Sequence, residues 1–134
     1  MAMMIEMSKE FDYKITAFHH AVEAYKIADL LADEGICGAL WADWWGFKHE
    51  AYDMVPANIA IVDQARGGKG CAIVHSDDEV GIQHLNQEAA KALSAGLRAG
   101  YEISKARAIK WITSNPAKAA GILDQTGTIE TVSY

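Results

Sequence analysis

The sequence predicts an α/β protein built on a parallel sheet, and three observations support this. Three short runs are apolar almost throughout instead of alternating, as is typical of strands covered on both faces; they span 13–18, 36–42 and 70–75. A helical spacing of apolar residues follows each run. No linker or low-complexity segment interrupts the chain. Strands that alternate with helices form parallel sheets through right-handed crossovers, so we expect three strand–helix units in succession.

The three predicted helices have recognisable ends. The first helical pattern covers 20–35, where Gly35 is expected to stop the helix. The second covers 56–68, with Pro56 in its first turn and glycines at its end. The third is the longest and covers 81–100, with leucine, isoleucine and alanine recurring at spacings of three and four.

The C-terminal part is predicted to form two short helices and an extended tail. A helix over 104–113 should end before Pro116, because proline disfavours helical geometry in the residue that precedes it. Asn115 is then expected to cap a second helix, with Pro116 as its first residue and Gly121 just past its end. The Thr-rich tail 126–134 is expected to be extended.

Composition and charge exclude several classes of protein. The 134 residues fit one domain, and the net charge of −6 argues against nucleic-acid binding, which needs a basic surface. No apolar run reaches the roughly 18 residues that cross a bilayer, and the N-terminus does not resemble a signal peptide, so we expect a cytoplasmic protein without membrane contact. Cys37 and Cys71 lie in apolar runs without metal-type spacing and are predicted to be two buried thiols.

Ionisable side chains stand at the end of each predicted strand. In parallel sheets the carboxyl ends of the strands meet at one edge, where functional sites lie. Histidine and aspartate are common ligands of zinc, and aspartate can also act as a general base toward a metal-bound water. The candidates at this edge are His19, His20, Asp43, His75, Asp77 and Asp78.

Each candidate also has a structural interpretation. One histidine of the His19–His20 pair can be buried and the other solvated, and Asp43 or Asp78 can cap the segment that follows. Asp77 is the strongest acidic candidate because it lies nearest the end of the apolar run among the neighbouring aspartates. The adjacent tryptophans 44 and 45 are expected to pack in the core or in an interface rather than line a pocket. Two further histidines are expected on the surface: His49 and His84.

Four stretches of the chain carry a resemblance to a known family. AFHHAVEAYKIADLLADEGI at 17–36, HSDDEVGIQHLNQEAAKAL at 75–93, ARAIKWITSNPAKAAGI at 106–122 and TGTIE at 126–130 resemble the C-terminal third of a metal-dependent amidohydrolase. The resemblance is to the imidazolonepropionase-like and dihydroorotase-like branch of that superfamily. It covers nearly the whole chain.

The resemblance implies a fold and a reaction. It implies the C-terminal portion of a (β/α)₈ barrel over 1–124, contributing strands six to eight, and the start of a small β-subdomain over 125–134. His20 matches the histidine that binds metal or substrate, and Asp77 matches the aspartate that binds metal and takes a proton from the attacking water. The implied activity is metal-dependent hydrolysis of amide or cyclic amide C–N bonds in small molecules, with zinc as the expected metal. His19, His75, Asp78 and Asp43 are secondary candidates.

Several parts of the family's site have no counterpart in this sequence. The His-x-His pair of the first strand, the bridging residue of the fourth and the histidine of the fifth are not present, and three strands cannot close an eight-stranded barrel. We therefore expect an incomplete enzyme, inactive alone, that associates with itself or with a complementary N-terminal barrel piece. The alternative is a non-catalytic α/β oligomerising or interaction module. A nucleotide-binding domain is the weakest interpretation, because the glycine-rich run 67–70 precedes a strand rather than following one.

Overall fold

The three predicted strands form one parallel sheet. The computed structural model describes residues 1–130, which contain β1 (Ala17–Phe18), β2 (Cys37–Leu40) and β3 (Ala72–Val74) in the order β1-β2-β3. Both pairings are parallel. The predicted α/β class is therefore confirmed for the described residues. Each strand is shorter than its apolar run: β1 comprises only the last two residues of 13–18, whereas β2 and β3 lie inside 36–42 and 70–75.

Helices cover the sheet in the predicted order. The α-helices are α1 (Ala2–Glu10), α2 (Ala28–Asp33), α3 (Asn58–Gly68), α4 (Leu85–Arg98), α5 (Lys105–Ile109) and α6 (Ser114–Ala120). Four 3₁₀ turns accompany them, at Ala24–Ile27, His49–Ala51, Gly81–His84 and Lys110–Ile112. The first and third predicted helices each begin as a 3₁₀ turn before the α-helix starts. None of these helices within residues 1–130 is long and apolar enough to span a bilayer.

Helix α1 was not predicted. It buries Ile5 and Ser8, whereas Met3, Met4 and Met7 remain exposed. Because apolar side chains also occupy its exposed surface, the segment has no clear amphipathic period that would indicate a helix.

The principal core lies between one face of the sheet and the helices. Leu40 and Val74 point from the strands into this core, which they share with Leu31, Ile59 and Val62 from the helices. Burying such a side chain stabilises the fold by about 1.5–3 kcal/mol relative to leaving it exposed. Alternate strand residues form a smaller cluster on the opposite face. That cluster comprises Cys37, Ala39, Cys71 and Ile73, with Ala17 and Ala119 packed against it.

The two cysteines are bonded to each other, so the prediction of two free thiols was wrong. Both side chains are buried as expected, but Cys37 and Cys71 form a disulfide between β2 and the residue before β3. Their separation of 34 residues carries no sequence signal. The register that places Gly38 beside Ala72 also places the two preceding cysteines side by side.

A thiol titration tests this bond. Under denaturing, non-reducing conditions the protein should show no thiol reactive toward a chromogenic disulfide reagent, and after reduction it should show two, the chain's full cysteine content. Two reactive thiols in protein purified without reductant, with alkylation during lysis to prevent exchange, would contradict the bond.

The C-terminal helices differ from prediction in their caps. Ser104 caps α5 by accepting a hydrogen bond from the Arg107 amide. Asn115 does not cap α6: it is the second residue of that helix, and its side-chain amide donates to the Ala72 carbonyl at 2.7 Å. The helix therefore covers part of the outer edge of β3. Gly121 ends α6 in the left-handed conformation with φ of 75°, as predicted.

The predicted tail forms bends and no strand within its described part, residues 126–130, so the expected extended strand is not found there. The remaining residues 131–134 of the predicted extended tail and β-subdomain lie outside the described residues.

Candidate functional site

The His19–His20 pair begins the site directly after β1. His20 has a φ of 54°, in the left-handed region that residues other than glycine seldom adopt. A residue held there costs of order 1–3 kcal/mol, so surrounding contacts must maintain it, and such residues cluster at functional sites. The His20 carbonyl accepts a hydrogen bond from the Val22 amide at 2.8 Å, which closes a tight turn.

Asn58 holds the segment that follows this turn. Asn58 is the first residue of α3 and is almost fully buried. Its side-chain nitrogen donates to the carbonyls of Ala21 at 3.1 Å and Val22 at 3.0 Å, and its oxygen accepts from the Tyr25 amide at 2.9 Å. One buried amide therefore satisfies three backbone groups immediately after His20.

His20 and Asp77 meet at the carboxyl end of the sheet. The His20 Nε2 atom lies 3.4 Å from Asp77 Oδ2, although the two residues follow β1 and β3, which do not pair with each other. Both side chains are partly exposed, at 44% and 37%. A polar pair that is open to solvent at a strand end can reach a small ligand.

His75 is the buried member of the group. Its Nδ1 atom lies 3.6 Å from Asp77 Oδ1, beyond hydrogen-bond distance, and its side chain is 15% exposed. Burial lowers the pKa of His75 to about 4, only partly opposed by the Asp77 carboxylate; His20 and His19 lower it further. His75 is therefore neutral at pH 7. Its Nε2 atom is buried without a hydrogen-bond partner among residues 1–130.

Aromatic rings form one wall of the site. Trp41 follows β2 and stacks on Trp44 with ring centroids 5.2 Å apart and on His75 at 5.7 Å. The His20 ring meets Trp41 edge-to-face at 5.0 Å, and Lys48 Nζ lies 5.0 Å from the centre of the Trp41 ring. Trp41 thus bridges the ends of β1 and β3, where the histidines lie.

The other sequence candidates occupy different positions. His19 is exposed, with its ring edge-on to His75 at 5.9 Å. Asp43 forms an ion pair with Lys91 of α4 at 3.1 Å. The Asp78 carboxylate accepts a hydrogen bond from the Gly81 amide, although the N-cap of the Gly81–His84 turn is Val80 and not Asp78. Two histidines outside the cluster are exposed as predicted: His49 and His84.

Sequence reasoning missed two residues of this site. Trp41 lies inside an apolar run and was interpreted only as part of a strand. Asn58 stands two residues after Pro56 in a predicted helix start, where an asparagine is usually interpreted as a local cap. One feature of the sequence could have indicated Trp41: it is a bulky aromatic residue at the end of a predicted strand, and histidines stand at the ends of the two neighbouring strands.

Metal ligation is incomplete within the described chain. Among residues 1–130 there is no group of three or more histidine, cysteine, aspartate or glutamate side chains arranged to hold a metal ion. His20 and Asp77 supply two donors of suitable type, one fewer than the three protein ligands of a catalytic zinc.

Comparisons with known proteins agree on one relationship. No protein-family model matches the chain. The chain is 31% identical over 132 residues to amidohydrolase tasK of Hapsidospora irregularis, covering 95% of this chain and 12% of that protein. The crystal structure of an amidohydrolase from Thermotoga maritima MSB8 superposes with a TM-score of 0.71 and 28% identity over 94% of this chain and 31% of that one. The resemblance to amidohydrolases is thereby confirmed. The chain spans about an eighth and about a third of these two relatives.

Proposed function

We propose that the His20–Asp77 pair is part of the metal-binding and catalytic site of a hydrolase that cleaves amide or cyclic amide C–N bonds in small molecules. The observation that supports it is the 3.4 Å approach of His20 Nε2 to Asp77 Oδ2 at the carboxyl end of a parallel sheet. The names of both relatives support hydrolysis in general. We also propose that the metal is zinc and that the enzyme belongs to the imidazolonepropionase-like and dihydroorotase-like branch. In this proposal the chain forms the C-terminal portion of a (β/α)₈ barrel.

The donor atoms fit a divalent metal in type. A neutral imidazole nitrogen and a carboxylate oxygen that lie this close can bind one borderline ion, and zinc commonly takes both. A bound metal would supply a water with a pKa near neutrality. In number the donors are one short, so a third ligand must come from outside residues 1–130.

Asp77 is suited to move the proton. Its carboxylate is open to solvent beside the imidazole and can accept a proton from the attacking water. The same carboxyl can then donate that proton to the departing nitrogen as the C–N bond breaks. His20 Nε2 lies beside one oxygen of the carboxylate, and the ring of the neutral His75 lies beside the other.

A second polypeptide would complete the site. We propose either a second copy of the chain or a complementary barrel piece. Within the described residues β1 and β3 each pair only with β2; α6 covers part of the outer edge of β3, and the outer edge of β1 pairs with no other described strand. Unpaired strand edges favour pairing with another chain.

The alternative function is a non-catalytic interaction module. The incomplete ligand set favours it. In that case the contacts of His20 and His75 with Asp77 only join the ends of the strands. For both functions we propose a cytoplasmic location. The Cys37–Cys71 disulfide argues against it, because disulfides are typical of oxidising compartments.

Zinc titration separates the two functions. We expect calorimetry to show zinc binding to the wild-type chain that is weakened at least tenfold in His20→Ala and in Asp77→Asn. The reason is that each substitution removes one of only two donors. Both side chains are partly exposed, so thermal stability should change little.

The matched control is His84→Ala, which removes an exposed histidine outside the cluster. It should bind zinc as the wild type does. Equal zinc affinities for the wild type, His20→Ala and Asp77→Asn would favour the interaction module.

A further inference from the structure

The buried indole nitrogen of Trp41 lacks a hydrogen-bond partner in the part of the chain that the structure describes. Trp41 is 2% exposed, and its Nε1 atom makes no hydrogen bond among residues 1–130. A buried N–H is nearly always paired. The chain's other fully buried tryptophan follows that rule, because Trp111 Nε1 donates to Asp63 Oδ1 at 2.8 Å. Of the two fully buried tryptophans, only Trp41 therefore lacks a hydrogen-bond partner among residues 1–130.

Packing holds Trp41 firmly in place. Its ring stacks on Trp44 and His75, and a small apolar cluster of Val22, Ala51 and Met54 surrounds it. The ring therefore cannot turn its N–H toward solvent without disrupting that cluster. A donor fixed in this way is already oriented before any ligand binds.

The second buried nitrogen without a partner lies on the ring that stacks against Trp41. His75 Nε2 has none among residues 1–130, and His75 Nδ1 approaches Asp77. Both of the described chain's unsatisfied buried side-chain nitrogens therefore belong to one pair of rings, beside the His20–Asp77 pair. Their coincidence at one place points to a ligand rather than to two unrelated packing defects.

We propose that Trp41 Nε1–H donates a hydrogen bond to an oxygen of a small molecule bound beside His20 and Asp77. An indole nitrogen only donates, so the partner atom must be an acceptor, and a carbonyl or carboxylate oxygen supplies one. This inference rests on the proposed function only where it takes His20 and Asp77 as the metal-binding and catalytic pair. It assigns Trp41 to ligand binding and orientation, with no role in proton transfer.

Nuclear magnetic resonance of the indole groups tests the donor directly. In metal-free, ¹⁵N-labelled protein, each of the four tryptophans contributes one indole N–H signal, and Trp41→Phe identifies the signal of Trp41. The wild type is titrated with acetamide, which offers an amide carbonyl, and separately with acetate, which offers a carboxylate. We expect the Trp41 proton to shift downfield and to saturate with at least one probe. Saturation with acetamide alone identifies an amide oxygen, and saturation with acetate alone identifies a carboxylate.

Two controls keep the result interpretable. The signal of Trp45, which is largely exposed, should show no saturable shift. Trp41→Phe keeps an aromatic ring but removes the donor, and it should weaken probe binding at least tenfold, followed through the remaining signals. If that variant does not fold, the wild-type titration alone decides. No saturable Trp41 shift with either probe overturns the proposal.

The outcome is independent of metal binding. Asp77→Asn, which should lose zinc, should still show the Trp41 shift. If His20→Ala and Asp77→Asn bind zinc as the wild type does but the Trp41 signal shifts and saturates, only the hydrolase proposal is contradicted. The proposed hydrogen bond from Trp41 to a ligand is then still supported.

Discussion

Asp63→Ala is expected to lower the free energy of unfolding by about 2–4 kcal/mol, because it removes the hydrogen bonds of a buried carboxylate and leaves the buried Trp111 indole N–H unsatisfied. Asp63 is fully buried on α3, and its carboxylate accepts hydrogen bonds from Arg107 Nε at 2.9 Å and Trp111 Nε1 at 2.8 Å. Gln64 Nε2 adds a third at 2.7 Å. Alanine would leave the indole N–H and the guanidinium without these partners. Urea unfolding monitored by circular dichroism measures the loss.

Asp53→Ala is the matched control for this prediction. Asp53 pairs with Lys26 at 3.4 Å, but both side chains are exposed, so its removal should cost no more than about 1 kcal/mol. A loss for Asp63→Ala as small as that of the control would show that the network does not join α3 to the C-terminal helices. Trp111→Phe should give an intermediate loss of unfolding free energy, because it removes the indole donor but keeps an aromatic side chain in the core.

Asn58→Ala is expected to lower the free energy of unfolding by about 2–4 kcal/mol, since it removes two buried hydrogen bonds and one part-buried hydrogen bond of about 1 kcal/mol each and leaves backbone groups unsatisfied. Those three bonds hold Ala21, Val22 and Tyr25, directly after His20. The same variant should weaken zinc binding, because His20 loses the support for its left-handed backbone. Denaturant unfolding and zinc calorimetry on the folded variant measure the two effects.

The control for Asn58 is Asn86→Ala, at an exposed position of α4. It should change stability by no more than about 0.5 kcal/mol and leave zinc affinity unchanged. If Asn58→Ala is destabilised but binds zinc as tightly as the wild type does, Asn58 supports the fold and does not position His20.

Both predictions concern contacts between distant parts of the chain, which explains why neither residue stood out in the sequence. Asp63 lies within a helical pattern, where an acid is usually interpreted as a surface residue, and its partner Arg107 is 44 positions away. Asn58 resembles a local helix cap, yet its hydrogen bonds reach 33 to 37 positions back along the chain. Local propensity carries no information about such partners.

Much of the architecture was predictable from local patterns. The unalternating apolar runs at 36–42 and 70–75 indicated strands covered on both faces, and the helical spacing between them indicated parallel crossovers. Gly35 and Gly121 both adopt the positive φ expected where a helix stops. One exception was α1, where methionines on the exposed side hid the helical period.

The sequence by itself determined the α/β class, the order of strands and helices, and the placing of histidine and aspartate at strand ends, because these depend on residue periodicity and on chain topology. Only the tertiary structure decided which of those side chains meet. Strand register and the packing of the turns after each strand bring His20 to Asp77, join Cys37 to Cys71 and bury Trp41 without a hydrogen-bond partner among residues 1–130. Register and packing are set by the sum of many weak contacts between distant residues, and no short stretch of sequence contains that sum.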